Sequence, residues 1–327
     1  MGKQTFGVFT ISLDFEMYWG VRDKRSVGQY HENLLGVRQV IPRILDLFLK
    51  SGIHATWATV GFLFFRNKYE LFQHLPDSLP DYDNKNLSPY NYLNEVEVFD
   101  NLIHFAPDII ESVCDIPGQE IGTHTFSHYY CSESGQTKKA FIDDLSAAVY
   151  IATRQGLTLK SLVFPRNQCN VDYLSILNTY GILCFRGNES SWLYQASHNH
   201  VYYFIKRAMR LLDCYINLTG YNTYIFPQKN SLPLNFPSSR FLRPYSPKLA
   251  LLDGLRLRRI TRAMDDAAKN NRIFHLWWHP HNFGKYIDHN ISMLNYIIEH
   301  FLRLNQRYAM QSMNMGELAQ LLNNHDT

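Results

Sequence analysis

The residues best suited to chemistry begin with His124 and His128, four apart in Gly122-Thr123-His124-Thr125-Phe126-Ser127-His128. On one side of a helical turn their Cβ atoms would stand about 5–6 Å apart, close enough to share one cation. A chain with 14 histidines produces such a pair by chance, so the pair needs a third ligand before it means anything. Asp14 and Glu16 follow the β-prone run 8–13, and two carboxylates among aromatics are costly to bury unless they are paired. His279, His281 and Asn282 follow the run 273–278, Arg166 and Asn167 follow 161–164, and Arg186 and Asn188 close 182–186. Two histidines and one carboxylate with open positions suit a catalytic divalent ion that keeps a water. Such an ion brings the pKa of its water to about 7 and polarises a carbonyl oxygen.

Positioning these groups requires the elements before them. Strands are expected at 8–13, 53–61, 116–122, 161–164, 182–186, 273–278 and 308–310, with helical periodicity between them. Strand-then-helix alternation argues for parallel strands with crossover helices, and in such folds polar groups at the C-terminal strand ends share one rim. The expected architecture is an α/β fold, a deformed (β/α) barrel of about seven parallel strands, forming one domain over 1–327. Regularity breaks at about 190–247, which reads as an insertion, lid or interaction surface: a basic amphipathic helix over 200–218, expected packed with its cationic face in solvent, the alternative being a helix lying on a membrane, then a proline-rich irregular stretch. The polar passage 76–97, with Tyr82, Tyr90 and Tyr92, reads as a long functional or mobile loop.

Composition excludes several classes. The 327 residues carry a net charge of only +3, which gives no argument for nucleic acid. The chain has no apolar leader and no run of 18 apolar residues, so a cytoplasmic protein without a transmembrane segment is expected. Its five scattered cysteines form no CxxC pair and read as small buried hydrophobes. No G-x-S-x-G, GxxxxGK[ST] or G-x-G-x-x-G motif supports serine-hydrolase, P-loop or dinucleotide chemistry.

In several segments the chain resembles the polysaccharide deacetylases with the NodB-homology fold. Ser12-Leu13-Asp14-Phe15-Glu16, His124-Thr125-Phe126-Ser127-His128 and Leu276-Trp277-Trp278-His279-Pro280 match that family's first, second and last motifs. Ala55–Gly61 is similar to its Ala-Thr-Phe-Phe strand, and Phe185-Arg186-Gly187 to a further recurrent segment. The resemblance implies metal-dependent removal of an N-acetyl group from a sugar, with zinc as the expected metal and cobalt, iron or nickel as alternatives. Carried over, Asp14 would be the general base, Glu16, His124 and His128 the metal ligands, and His279 the acid that protonates the departing amine. Many members have adjacent aspartates where Phe15 here separates the two acids, so the division between Asp14 and Glu16 stays open.

The fourth-strand segment, Phe164-Pro165-Arg166-Asn167-Gln168, departs from the family's Arg-x-Pro-aromatic order. Arg166 is the expected catalytic partner of Asp14, with Arg186 competing for that part. Tyr129, Arg186, Trp278 and Asn282 are expected at the substrate, with Trp19, Tyr130, Trp192, Tyr194 and Trp277 as further stacking candidates. The expected partner is an acetamido sugar, free or linked to a nucleotide or lipid, whose phosphates Arg240, Arg243 or the arginines near Arg256 would meet. The competing readings are a hydrolase of another C–N bond, such as a cyclic amide, and a non-catalytic sugar-binding scaffold.

Overall fold

The structure is a computed structural model that describes residues 5–97, 99–194, 200–228 and 232–324, with side chains omitted for 200–204. Nine strands are described: β1 (Val8–Phe15), β2 (Ala55–Thr59), β3 (Gln119–Thr123), β4 (Ser161–Val163), β5 (Cys184–Arg186), β6 (Leu234–Asn235), β7 (Arg240–Phe241), β8 (Ile273–Trp278) and β9 (Gln311–Ser312). They pair in parallel in the order β6-β5-β4-β3-β2-β1-β8-β7, with β9 against the start of β1. This is the expected α/β barrel-like architecture. All eight residues of β1 are buried: Phe9, Ile11, Leu13 and Phe15 enter the apolar core, while alternating Thr10, Ser12 and Asp14 are buried polar residues on the strand's other face.

The sheet's two ends are joined by one short stretch. Leu234 and Phe236 donate backbone N–H groups to Leu183 and Phe185, and Ser238 donates to Gly187; Ser239 and Leu242 then donate to His275 and Trp277. The chain thus leaves β5 and picks up β8 within eight residues, spanning the gap between the sheet's edges. These two-residue strands lie in the proline-rich stretch expected to be irregular. They are too short, and too interrupted by Pro233 and Pro237, to show a period of two.

Helices cover the outside. Val27–Ser51 begins at a capping box of Ser26 and Gln29 and ends at Gly52, whose φ of 60° suits glycine. It stays one helix across Pro42. Its Val37, Ile41, Ile44 and Phe48 share one apolar core with Phe9, Ile11 and Leu13 of β1 and Ile297 and Phe301 of Ile287–Tyr308. Each such side chain fully withdrawn from water contributes about 1.5–3 kcal/mol. Asn101–His104 and Pro107–Cys114 are separate helices, because Pro107 can open a helix but not continue one. The 76–97 passage is ordered into Lys85–Leu87 and Pro89–Glu95. Among the described residues no helix is long and apolar enough to cross a membrane.

Register levels the strand ends. Leu13 pairs with Trp278, Phe15 with Thr59, and Thr59 with Thr123. The residues that follow β1, β3 and β8, including Glu16, His124 and His279, therefore emerge on one rim.

Candidate active site

At that rim the histidine pair is not helical. Thr125 and His128 sit at φ of 63° and 60° in a bent loop, a region costly for residues other than glycine. The imidazoles are brought to a centroid separation of 5.0 Å by this loop and not by the i, i+4 geometry expected. Asp144, midway along helix Lys138–Arg154, holds the loop: it accepts from the Phe126 N–H at 2.7 Å, from the Ser127 N–H at 3.1 Å, and from the Ser127 hydroxyl. Nothing in its local sequence marks Asp144, since a lone acid in a helix carries no motif. Burial raises its carboxyl to about 7 against the pull of these donors.

Glu16 meets both histidines. Its Oε2 lies 3.2 Å from His124 Nε2 and 2.9 Å from His128 Nε2, and all three residues are buried. His124 Nδ1 lies 2.8 Å from the Val163 carbonyl and donates its hydrogen there, which leaves the neutral ring's Nε2 lone pair aimed at a carboxylate oxygen. Two acceptors facing each other at that distance need a shared cation, so the donor set fits a divalent ion in two-histidine, one-carboxylate geometry. Burial, though opposed by Glu16, pushes His128 down to about 4, which keeps it in the neutral ligand form. Burial also disfavours the Glu16 charge, but neighbouring His279 opposes it, and the carboxyl is held well below the usual range.

Asp14 belongs to a second network. Arg186 Nη1 and Nη2 donate to its two oxygens at 2.6 and 2.8 Å, a bidentate buried pair. Burial alone would raise the Asp14 carboxyl, and Arg186, with His124 and His279 nearby, lowers it below its ordinary value. Arg186 is itself fixed by Ser12 Oγ at 3.0 Å and Asn167 Oδ1 at 2.9 Å, with the Trp277 ring 4.2 Å below its guanidinium. Ser12 Oγ lies 2.8 Å from Nε2 of buried His275.

His279 lies between the two carboxylates, its Nε2 3.6 Å from Asp14 Oδ2 and 3.5 Å from Glu16 Oε1. Tyr30 donates to Asn282 Oδ1 at 2.7 Å, which turns the Asn282 amide nitrogen toward His279 Nδ1 at 3.3 Å. In that arrangement Nε2 carries the hydrogen and faces the acids. His281 is close by, with its Nε2 3.9 Å from Glu16 Oε1.

Several expectations are corrected. Arg166 does not pair with Asp14: at φ 55° its side chain turns to Asp23 and Glu133 and lies 4.3 Å over the Tyr130 ring. Arg186 takes the place at Asp14 and so is not free to meet substrate. Tyr129 is fully buried, with its hydroxyl bonded to Gln136 and the Thr137 carbonyl. Trp278 is fully buried against Phe283. Asn282 faces His279 first. Trp19 is buried, donating to the His104 carbonyl, and Tyr130 is buried under Arg166; Tyr194 donates to Asp213, Trp192 is exposed, and partly exposed Trp277 has its ring 5.5 Å from His279.

Arg240 and Arg259 are buried on Asp213, and Arg256 bonds Asp253 and the carbonyls of Arg243 and Pro244. None of these three is available for a phosphate. Arg258 and Arg262 on the same helix are exposed.

No family model and no curated protein matches the chain by sequence, but solved structures match its shape. A Mycobacterium smegmatis protein assigned as a polysaccharide deacetylase aligns over 99% of this chain and 92% of its own, at TM-score 0.58 and 13% identity. The chain has the polysaccharide deacetylase fold. A Pseudomonas aeruginosa PAO1 protein with the same assignment aligns over 99% and 93%, at TM-score 0.56 and 10% identity. The allantoinase Puue aligns over 99% and 93%, at TM-score 0.56 and 12% identity.

Proposed function

We propose that the chain is a metal-dependent hydrolase that removes an N-acetyl group from an acetamido sugar. One observation carries the reading: a carboxylate kept ionised by a buried arginine, Asp14 on Arg186, stands beside a buried Glu16-His124-His128 donor set, with His279 reaching both. A divalent ion bound there, with zinc the expected choice, would polarise the acetyl carbonyl and acidify a water. Asp14 takes the proton from the attacking water, and Arg186 keeps Asp14 in the base form. His279, in its imidazolium form with the Asn282 amide oxygen turned to Nδ1–H, gives its Nε2 proton to the sugar nitrogen as the C–N bond breaks and is left neutral, and the proton taken by Asp14, 3.6 Å away, then restores it, so that acetate and a free amine leave. Asn282 and Tyr30 keep that ring nitrogen pointed inward. Trp277 offers a ring face to a sugar.

The whole chain is read as one catalytic domain, with residues 190–247 as a lid-like wall at the rim, working in the cytoplasm on a precursor sugar carried by a nucleotide or lipid. The fold shared with the two proteins assigned as polysaccharide deacetylases supports this reading. The fold shared with an allantoinase favours a second one, opening of a cyclic amide on the same groups. A panel of free, nucleotide-linked, lipid-linked and oligomeric acetamido sugars, run beside a cyclic ureide, separates them. Acetate release from a sugar with no ureide opening is the expected result; ureide opening with no acetate from any sugar would install the second reading.

A further inference from the structure

Helix His200–Asp213 is turned the wrong way round for a helix packed on a water-soluble barrel. Two of its charged residues turn to the protein: Arg210 Nε donates to the Leu193 carbonyl at 3.0 Å, and buried Asp213 accepts from Arg240 and from the Leu218 and Thr219 N–H groups, while Arg207 is exposed. Its outward stripe is apolar. Ile205, Ala208 and Leu212, at helical spacings of three and four, are all exposed, and exposed Ile216 and Leu218 continue the surface past the helix end. A surface helix ordinarily shows the reverse, as the sequence reading also expected.

A second apolar stretch adjoins it. Pro247–Leu252 leads into helix Asp253–Lys269 and exposes Leu251 fully and Leu252 and Leu255 in part, with Arg258 and Arg262 exposed on the same helical side as Leu255. Arg259 reaches Asp213 at 3.4 Å, Arg243 Nε lies 3.1 Å from Cys214 Sγ, and Arg256 donates to the Arg243 carbonyl at 2.7 Å. The two stretches thus form one face. Residues 201–262 carry eleven Lys and Arg against two Asp, although the whole chain is only +3. Arg240, Arg256 and Arg259 among them are buried on partners, and Arg207, Lys248, Arg258 and Arg262 are exposed, while the remainder of the chain is net acidic.

We propose that this face docks on a lipid bilayer bearing anionic headgroups. Aliphatic side chains flanked by arginines enter the interface while the cations meet lipid phosphates. Nucleic acid would use the charge but not the exposed leucines, and a second copy would set one basic face against another. Phe241, whose ring lies 5.8 Å from the His279 ring, precedes Arg243 by two residues in the chain. Lipid binding needs no turnover, so the proposal stands or falls apart from the hydrolase reading.

The test is co-sedimentation of the full chain with vesicles of phosphatidylcholine alone or with roughly one-third phosphatidylglycerol. The expected result is partition onto the mixed vesicles, weakened by salt. The doubles Leu251→Glu with Leu255→Glu, and Arg258→Glu with Arg262→Glu, should each lose about tenfold or more of that partition, with far-UV circular dichroism and melting temperature unchanged. Absence of partition, equal partition of wild type and both doubles, or a wild-type dimer in light scattering that the leucine double dissolves would each overturn the proposal.

Discussion

In the proposed mechanism Asp14 acts as a base only while Arg186 keeps its proton off, and the two residues form a single buried bidentate pair. Replacing Arg186 by Met removes the bidentate partner at 2.6 and 2.8 Å and leaves a buried carboxylate to the desolvation that already opposes its charge. The Asp14 pKa then rises, so the acid limb of the kcat/KM pH profile moves to higher pH, and kcat falls by about 100-fold or more at neutral pH. Arg186→Lys keeps the charge but not the fork and should recover part of the rate. An unmoved acid limb in Arg186→Met would remove Asp14 from the base role. At this scale the sequence was legible wherever a residue sits at the end of a long strand, as Asp14, Glu16, His124 and His279 do. It was not legible for Arg166, whose left-handed backbone aims the side chain at Asp23, because local conformation of that kind leaves no periodic trace.

At the scale of elements, the metal-type histidines depend on a loop held from behind by a helix. Asp144→Asn presents an amide nitrogen to one of the backbone N–H groups of Phe126 and Ser127 and leaves that donor unsatisfied in a buried place. The expected cost is about 1–3 kcal/mol in chemical denaturation, with weaker metal binding because His128 loses its fixed approach. Metal affinity equal to wild type would show that the loop holds its shape without Asp144. The long strands and helices could be read from their periods, whereas the 234–241 bridge could not. Its pairing partners lie about 50 residues before and 35 after it in sequence, and strand pairs so short are set by tertiary contact. The same holds for the lock of Asp213 with Arg240 and Arg259, which turned expected surface arginines inward.

Across the whole molecule, stability should depend on acid through its buried histidines. Burial lowers His104 and His128 to about 4 and His275 and His281 to about 3. Between those values and 6.5 the unfolded chain binds protons that the folded chain does not, so stability rises with pH over this window and is lost on acidification. Buried Asp144, raised to about 7, and the raised Glu120 and Glu189 act in the opposite sense, and four deeply depressed histidines outweigh them. Melting of the chelated protein should therefore move to lower temperature as pH is taken from 6.5 toward 4. A melting temperature flat or rising over that span would contradict the burial of these rings.

The central claim is that Glu16, His124 and His128 hold the metal on which hydrolysis depends. It is tested most directly by following acetate release from an acetamido-sugar substrate with protein stripped by a chelator and then titrated with zinc or cobalt. The account predicts that stripping abolishes release, that about one equivalent of metal restores it, and that His128→Ala stays inactive at the same metal concentration. Acetate release that survives complete stripping, or that persists in His128→Ala, would contradict it.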